Sequence, residues 1–306
     1  GIVGSLGAVF SRITGNHIYR IWSRRLFTGA EMAGIKIHAA IDVLIRNNRI
    51  HDAGRGMWMD WMAQGTRISG NLLYNNTSED LFVEVDHGPF LVDNNLFLSP
   101  QSLRDMSEGG AYVHNLMAGL IDCAPEPNRS TPYHGAHSTA IAGMSSVRGG
   151  DDRFCNNIFL RPAGPSGALP GEGKEPGWSA GFGLSVYDAR EFRLQTGGNV
   201  YCNGARPYRG ETDALTVPDI DLALAEEGDS VHLHLAPGTL SHKVKIVTTD
   251  RLGKARVSGL AYENPDGSPL TIDTDYFGKR RDPAHPTSGP FENPSGSSEG
   301  ISLKVW

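Results

Sequence analysis

Cysteine is scarce in this chain: Cys123, Cys155 and Cys202 are the three among 306 residues. They lie far apart, with no CxxC pair and no histidine at metal spacing. The odd count argues against a disulfide framework and fits a reducing, cytoplasmic compartment. Long apolar runs are missing too, and no stretch approaches the length of a membrane span, so no membrane partner is expected. Positive charge is in short supply, since 28 Lys and Arg against 34 Asp and Glu leave a net charge of −6. Without a cationic field to neutralise phosphates, a nucleic-acid partner is excluded. Helical periodicity is almost absent, appearing only briefly around Asp219–Glu227. The chain opens at Gly1 without a methionine and is already strand-like at Ile2-Val3, as expected of a fragment or processed piece.

Glycine and proline, by contrast, are plentiful at 38 and 18 residues. Such a turn-rich composition at this length favours a β-rich, repetitive architecture. A repeat is present: a β-branched residue, a polar residue, a small residue or Asn, then Asn and two apolar residues. It reads Ile13-Thr14-Gly15-Asn16-His17-Ile18, Ile45-Arg46-Asn47-Asn48-Arg49-Ile50, Ile68-Ser69-Gly70-Asn71-Leu72-Leu73 and Val92-Asp93-Asn94-Asn95-Leu96-Phe97. Later copies are Phe154-Cys155-Asn156-Asn157-Ile158-Phe159 and Thr196-Gly197-Gly198-Asn199-Val200-Tyr201, with a partial one at Val113-His114-Asn115-Leu116. Asn48, Asn71, Asn95 and Asn115 are spaced by 23, 24 and 20 residues, while Asn16 to Asn48 is 32 and Asn157 to Asn199 is 42.

A coil of three short strands with turns needs a little over 20 residues, so the spacing predicts an all-β, right-handed parallel β-helix. Asn and Gly suit its corner because both tolerate the left-handed region, and stacked Asn side chains can hydrogen-bond along the stack. The expected organisation is a catalytic β-helix over 1–210, with Gly/Pro-rich interruptions near 118–150 and 161–180. A small antiparallel β appendage over 211–270 follows from the alternation in Ser230–Leu235 and from Lys243-Val244-Lys245-Ile246-Val247. A Pro/Gly-rich return over 271–306 is expected to pack on the helix.

The repeat also serves as a ruler. Asp60 precedes Asn71 by 11 residues, and Glu84 precedes Asn95 by the same 11. Neighbouring strands lie about 4.8 Å apart, so two outward carboxylates in one phase should sit about 5 Å from each other. Retaining glycosidases hold their pair at about 5–5.5 Å and inverting ones at about 6.5–9.5 Å. The phase therefore points to double displacement. Alternation turns Trp58, Asp60, Glu84 and Asp86 outward and Met59, Trp61 and the flanking valines inward. The competing reading is a pair of ordinary surface acids, and Asp86 is the rival catalytic carboxylate.

The strings Gly56-Met57-Trp58-Met59-Asp60-Trp61-Met62-Ala63-Gln64-Gly65-Thr66-Arg67 and Glu79-Asp80-Leu81-Phe82-Val83-Glu84-Val85-Asp86-His87-Gly88-Pro89 resemble glycoside hydrolase family 120. Further matches are Glu31-Met32-Ala33-Gly34-Ile35-Lys36-Ile37-His38, Gly110-Ala111-Tyr112-Val113-His114-Asn115-Leu116 and Pro132-Tyr133-His134. The resemblance implies a β-helical β-xylosidase, longer than this chain, that releases β-1,4-linked xylose from xylo-oligosaccharide ends with retention. It also implies that Asp60 is the nucleophile and Glu84 the acid/base, an assignment that spacing alone does not make.

Substrate-binding candidates are Glu31, His38, Trp58, His87, His134 and Phe182, with His137 beside His134 in a loop suited to cap a pocket. Lys36 and His38 stand one residue off the phase of Asp60, which leaves their facing open. No metal site or cofactor is expected; the Asp151-Asp152 pair in its Gly-flanked turn reads as solvated. A sugar ligand is the expected partner, and self-association is left open. Two other functions fit the same architecture: a β-helix polysaccharide lyase, and a non-catalytic carbohydrate-binding β-helix.

Overall fold

The computed structural model describes the chain except for residues 27–30, 163–176, 219, 237–241, 243 and 295–299. Most of the 161–180 interruption, with Asp219 and Lys243, therefore lies outside the described residues. The described strands fall into six sheets. Three are large, and the chain visits them in turn, so that neighbours within a sheet are distant in sequence and, but for one antiparallel pair, parallel. The first runs through Ile2–Gly4, Ile35–His38, Met57–Asp60, Glu79–Glu84, Gln101–Met106, Leu120–Cys123 and Ser179–Gly181. The second contains Leu44–Arg46, Arg67–Ser69, Phe90–Asp93 and Gly110–Val113, and the third contains Arg49–His51, Leu72–Tyr74, Leu96–Phe97 and Leu116–Met117.

The expectation of a single right-handed parallel β-helix with a small C-terminal β appendage is corrected by this sheet topology. The strands do not wind as one solenoid but divide among several sheets. The first sheet ends on Ser179–Gly181, which pairs antiparallel with Leu120–Cys123. An antiparallel arm, Glu126–His134 with Ile141–Val147, forms a sheet of its own. Asp221–Glu227, Ser230–Ala236 and Ile301–Lys304 make a three-stranded antiparallel sheet, and Val247–Thr248 pairs with Thr271–Ile272. The physical reason is that the short Asn period reports local strand spacing and holds over only a few steps. Insertions between the later copies build separate sheets. Asp221–Glu227 is likewise a strand, not the helical turn that its pattern suggested.

What the repeated asparagines do is visible in the hydrogen bonds. The Nδ2 of Asn16, Asn48, Asn71, Asn95, Asn115 and Asn157 each donates to the Oδ1 of the next, at 2.9–3.1 Å, ending on Asn199. The same Oδ1 atoms accept a backbone N–H from the preceding asparagine, as Asn95 does from Asn71 at 2.9 Å. The 32- and 42-residue gaps are thus single steps. The left-handed residue stands one position earlier, at Gly15, Asn47, Gly70, Asn94, His114, Asn156 and Gly198. Gly, Asn and, once, a buried histidine accept that conformation there.

The main core lies between the three large sheets and includes Ile35, Ile37, Met57, Met59, Leu81, Val83, Val92, Phe97, Tyr112 and Phe154. Two of the sheets are covered outside as well. Val231, Leu233, Leu235, Phe291 and Val305 pack on Leu72, Leu96, Leu116 and Ile158 of the third. Val247, Leu252, Ala255, Tyr262 and Ile272 pack on Leu91, Ala111 and Val113 of the second. On the outer face of the first sheet the apolar cluster is small, namely Ala33, Trp58 and Phe82 with Met106 at its edge. That face carries polar groups instead. Among the described residues no helix is long and apolar enough to cross a membrane.

Asn71 is wholly buried, and its side chain makes five hydrogen bonds: it accepts from the backbone and side-chain nitrogens of Asn48 and donates to Ile45 O, Ser69 O and Asn95 Oδ1. Removing it strands buried polar groups at about 1–3 kcal/mol each. Asn71→Ala is expected to lower unfolding free energy by at least about 3 kcal/mol in urea titration. Asn16→Ala, at the half-buried end of the row, should cost less than about 1 kcal/mol.

Candidate active site

Strand alternation builds the site on the outer face of the first sheet. In Ile35–His38, Met57–Asp60 and Glu79–Glu84 the aliphatic residues Ile35, Ile37, Met57, Met59, Leu81 and Val83 point into the core. Lys36, His38, Trp58, Asp60, Phe82 and Glu84 take the other face. The register then aligns them in two rows. His38, Asp60, Glu84 and Met106 are direct neighbours, as are Lys36, Trp58, Phe82 and Arg104. Asp60 and Glu84 therefore face each other across one strand spacing, about 4.8 Å.

Asp60 is deeply set, 5% exposed, and densely held. Its Oδ2 lies 2.8 Å from Lys36 Nζ and 2.8 Å from His38 Nε2. Its Oδ1 accepts the Trp61 backbone N–H at 2.9 Å. Glu31, at the mouth and largely exposed, binds Lys36 Nζ at 2.8 Å and lies 3.8 Å from His38 Nε2. Glu84 has a different environment. Its Oε2 accepts the Trp58 indole N–H at 2.9 Å, and its Oε1 accepts from Arg129 Nη1 at 2.8 Å. The other nitrogen of that guanidinium, Nη2, is 4.0 Å from Asp60 Oδ1. Trp58 ties the two halves together, with Lys36 Nζ 3.8 Å from its ring centroid and Arg55 at 4.6 Å on the same ring. The ring also stacks on Phe82 at 5.2 Å.

Of the residues singled out from sequence, Glu31, His38, Trp58, Asp60 and Glu84 converge on this patch. His87, His134 and Phe182 do not touch the pair. His87 is buried, with Nδ1 3.0 Å from Glu108 Oε1 and Nε2 2.9 Å from Thr131 Oγ1. His134 is buried too; its backbone exchanges two hydrogen bonds of 3.0 Å with the Gln64 side chain. Both contacts anchor the antiparallel arm that carries Arg129. His137 bridges Asp42 and Glu263 at 3.0 and 3.1 Å. Phe182 packs at the edge of the core, under the Arg161 guanidinium at 5.6 Å. A cavity of about 510 Å³ lies elsewhere, between the second sheet and residues 264–276, and contains neither carboxylate.

Two expectations from alternation fail at corners. Alternation points Trp61 inward, yet it is half-buried beside the pair, 5.9 Å from the Arg129 guanidinium and 6.3 Å from the His38 ring. The register explains it. Leu44 comes six residues after His38, whereas its partner Arg67 comes seven after Asp60. The corner after Asp60 holds one extra residue, and Trp61 occupies it. The same extra residue put Lys36 and His38 out of phase in the sequence count. Alternation points Asp86 outward, but Val85 turns at φ 54° and Asp86 is wholly buried, its Oδ1 accepting the Ala63 N–H at 2.6 Å. Arg129 lies 45 residues beyond Glu84 on an arm outside the repeat, and no sequence periodicity marks it.

The chain is similar to one solved structure. That structure is "The complex structure of XylC with xylose"; the TM-score is 0.89 and the identity 40%, covering 100% of this chain and 50% of that chain. The present chain thus spans half the length of the solved chain it matches. No protein-family model matches the chain, and comparison with curated proteins gives no match.

Burial, reinforced by the charges of Asp60, Glu84 and Asp105, holds the Asp86 carboxyl well above the usual carboxylate range. A carboxyl raised on folding favours the protonated native state, so stability from this group is complete below about pH 4 and is lost as pH rises above it. Asp86→Asn keeps an acceptor for Ala63 and removes the titration. Thermal melts should therefore show little change below about pH 4 and a higher Tm than wild type near pH 8.

Proposed function

We propose that the chain carries the catalytic pair of a retaining β-xylosidase of the glycoside hydrolase family 120 type, acting on the ends of xylo-oligosaccharides. The observation that carries this reading is the direct register pairing of Asp60 with Glu84 on adjacent parallel strands. One strand spacing, about 4.8 Å, suits a carboxylate that attacks and a carboxyl that protonates the same glycosidic bond. An inverting pair is set wider, about 6.5–9.5 Å apart, to hold a water between its members. The similarity to a protein solved with xylose supports a pentose as the glycone.

In this mechanism Asp60 attacks the anomeric carbon as the bond to the leaving oxygen breaks, and Glu84 gives that oxygen its proton. Glu84 then takes a proton from water, which attacks the same carbon and releases Asp60. Configuration is kept because two inversions occur. The partners support these roles: Asp60 is clasped by a cation and an imidazole, whereas Glu84 meets an indole N–H and a solvent-facing arginine. Glu31 and His38 stand where they can bind sugar hydroxyls, and Trp61 offers an apolar wall.

Hydrolysis of an aryl β-xyloside tests the assignment. Asp60→Ala should cut kcat by more than about a thousandfold. Glu84→Ala should retain turnover of substrates with good leaving groups and recover rate with azide, giving a β-xylosyl azide. Wild-type rates in both variants would refute it.

A further inference from the structure

Two cations of unlike character face the carboxylate pair. Lys36 sits on the strand beside Asp60 with its side chain 1% exposed, and it is among the largest fully buried side chains of the protein. Its ammonium is enclosed by Asp60 Oδ2 and Glu31 Oε1 at 2.8 Å, by His38 Nε2 at 3.3 Å and by the Trp58 ring. A buried ion pair of this kind cannot separate without leaving an uncompensated charge. Arg129 is the opposite case. Its side chain is 43% exposed on the antiparallel arm, and it reaches Glu84 Oε1 at 2.8 Å and Asp60 Oδ1 at 4.0 Å. Exposed ion pairs are weak and exchange readily. By contacting both acids the guanidinium spans the gap in which an anomeric carbon and its leaving oxygen would lie.

We infer that Lys36 is a positioning residue that keeps Asp60 charged and aimed, while Arg129 is a temporary counter-ion that an entering sugar displaces from Glu84. This inference rests on the retaining-pair reading above. With the site empty, Arg129 neutralises Glu84 and limits repulsion between the two acids. When a sugar takes its place, Glu84 loses its cation and is set to hold the proton that it will donate. Asp60 keeps Lys36 throughout. The sugar thus completes the division of roles between two like residues. Charged groups facing the pair from the surrounding elements are Glu31, Lys36 and His38 on one side, Arg129 from the arm, and the buried Asp86 behind it. Arg55 and Arg104 stack on Trp58 and Phe82 in the neighbouring row.

The test is the pH dependence of aryl β-xyloside hydrolysis, since kcat/KM reports the free protein and kcat the complex. Lys36→Met should lower kcat by at least about a hundredfold and move the acid limb of kcat/KM to higher pH, with Lys36→Arg restoring part of both. Arg129→Met should lower KM severalfold and move the basic limb of kcat/KM to higher pH. It should leave the basic limb of kcat in place, because in the complex the arginine has already gone. The inference is overturned if Lys36→Met lowers Tm without moving the acid limb. It is equally overturned if Arg129→Met moves neither limb, or moves both together. If Asp60→Ala and Glu84→Ala keep wild-type rates, the retaining-pair reading falls as well. If Asp60→Ala is inactive and Glu84→Ala is rescued by azide while the limbs stay fixed, only the present inference falls.

Discussion

The amide-to-amide hydrogen bonds between stacked asparagines are the constraint on which the candidate site depends. Each asparagine side chain both accepts from the one before and donates to the one after, so a shift of any strand by one residue would break several buried bonds at once. Register in a parallel sheet is otherwise weakly specified wherever a face is polar. Here the polar face is the functional one. Locking the corner between the second and third sheets keeps His38, Asp60 and Glu84 abreast on the first, although no ladder residue touches them.

A second constraint is where the remaining chain packs. The segments after residue 220 bury their apolar side chains on the outer faces of the second and third sheets. Those faces present Leu72, Leu91, Leu96 and Val113, whose burial stabilises the protein by the usual hydrophobic gain. The outer face of the first sheet presents Lys36, Asp60 and Glu84, whose burial under an apolar covering would cost far more than it returned. Among the described residues the arm from Glu126 to Val147 reaches over it, held at its base by His87–Thr131 and His134–Gln64. Arg129 on that arm sets a positive charge beside the pair, with Asp60 at 7% and Glu84 at 16% side-chain exposure. Inside the patch Trp58 has two functions, an apolar floor for Lys36 and an indole donor for Glu84. It thereby links the surroundings of the two acids.

Much of this site is legible in the amino-acid order, and the reasons it is not all legible are physical. Strand alternation and a fixed distance to the next ladder asparagine set Asp60 and Glu84 on one face of adjacent strands, as the register has them, because both properties are local. Corners are not local in that sense. One extra residue after Asp60 swings Trp61 toward the site and disturbs the count that would have put Lys36 and His38 beside Asp60. A single left-handed residue at Val85 carries Asp86 out of the surface row and into the interior. Arg129 belongs to an inserted arm, and only the closed structure brings it across 45 residues to Glu84. The same insertions are why a short period did not describe the whole chain, whose strands form several sheets and not one solenoid.

The central claim is that register sets two carboxylates one strand apart, near enough to act on a single sugar from attack through protonation. Proton NMR of an aryl β-xyloside during the first minutes of reaction tests it most directly, because the anomer of the first free xylose is read before mutarotation mixes the two. The account predicts the β-anomer first, with the α-anomer growing in later. Initial release of the α-anomer would contradict it, since single displacement requires carboxyl groups about 6.5–9.5 Å apart with a water between them.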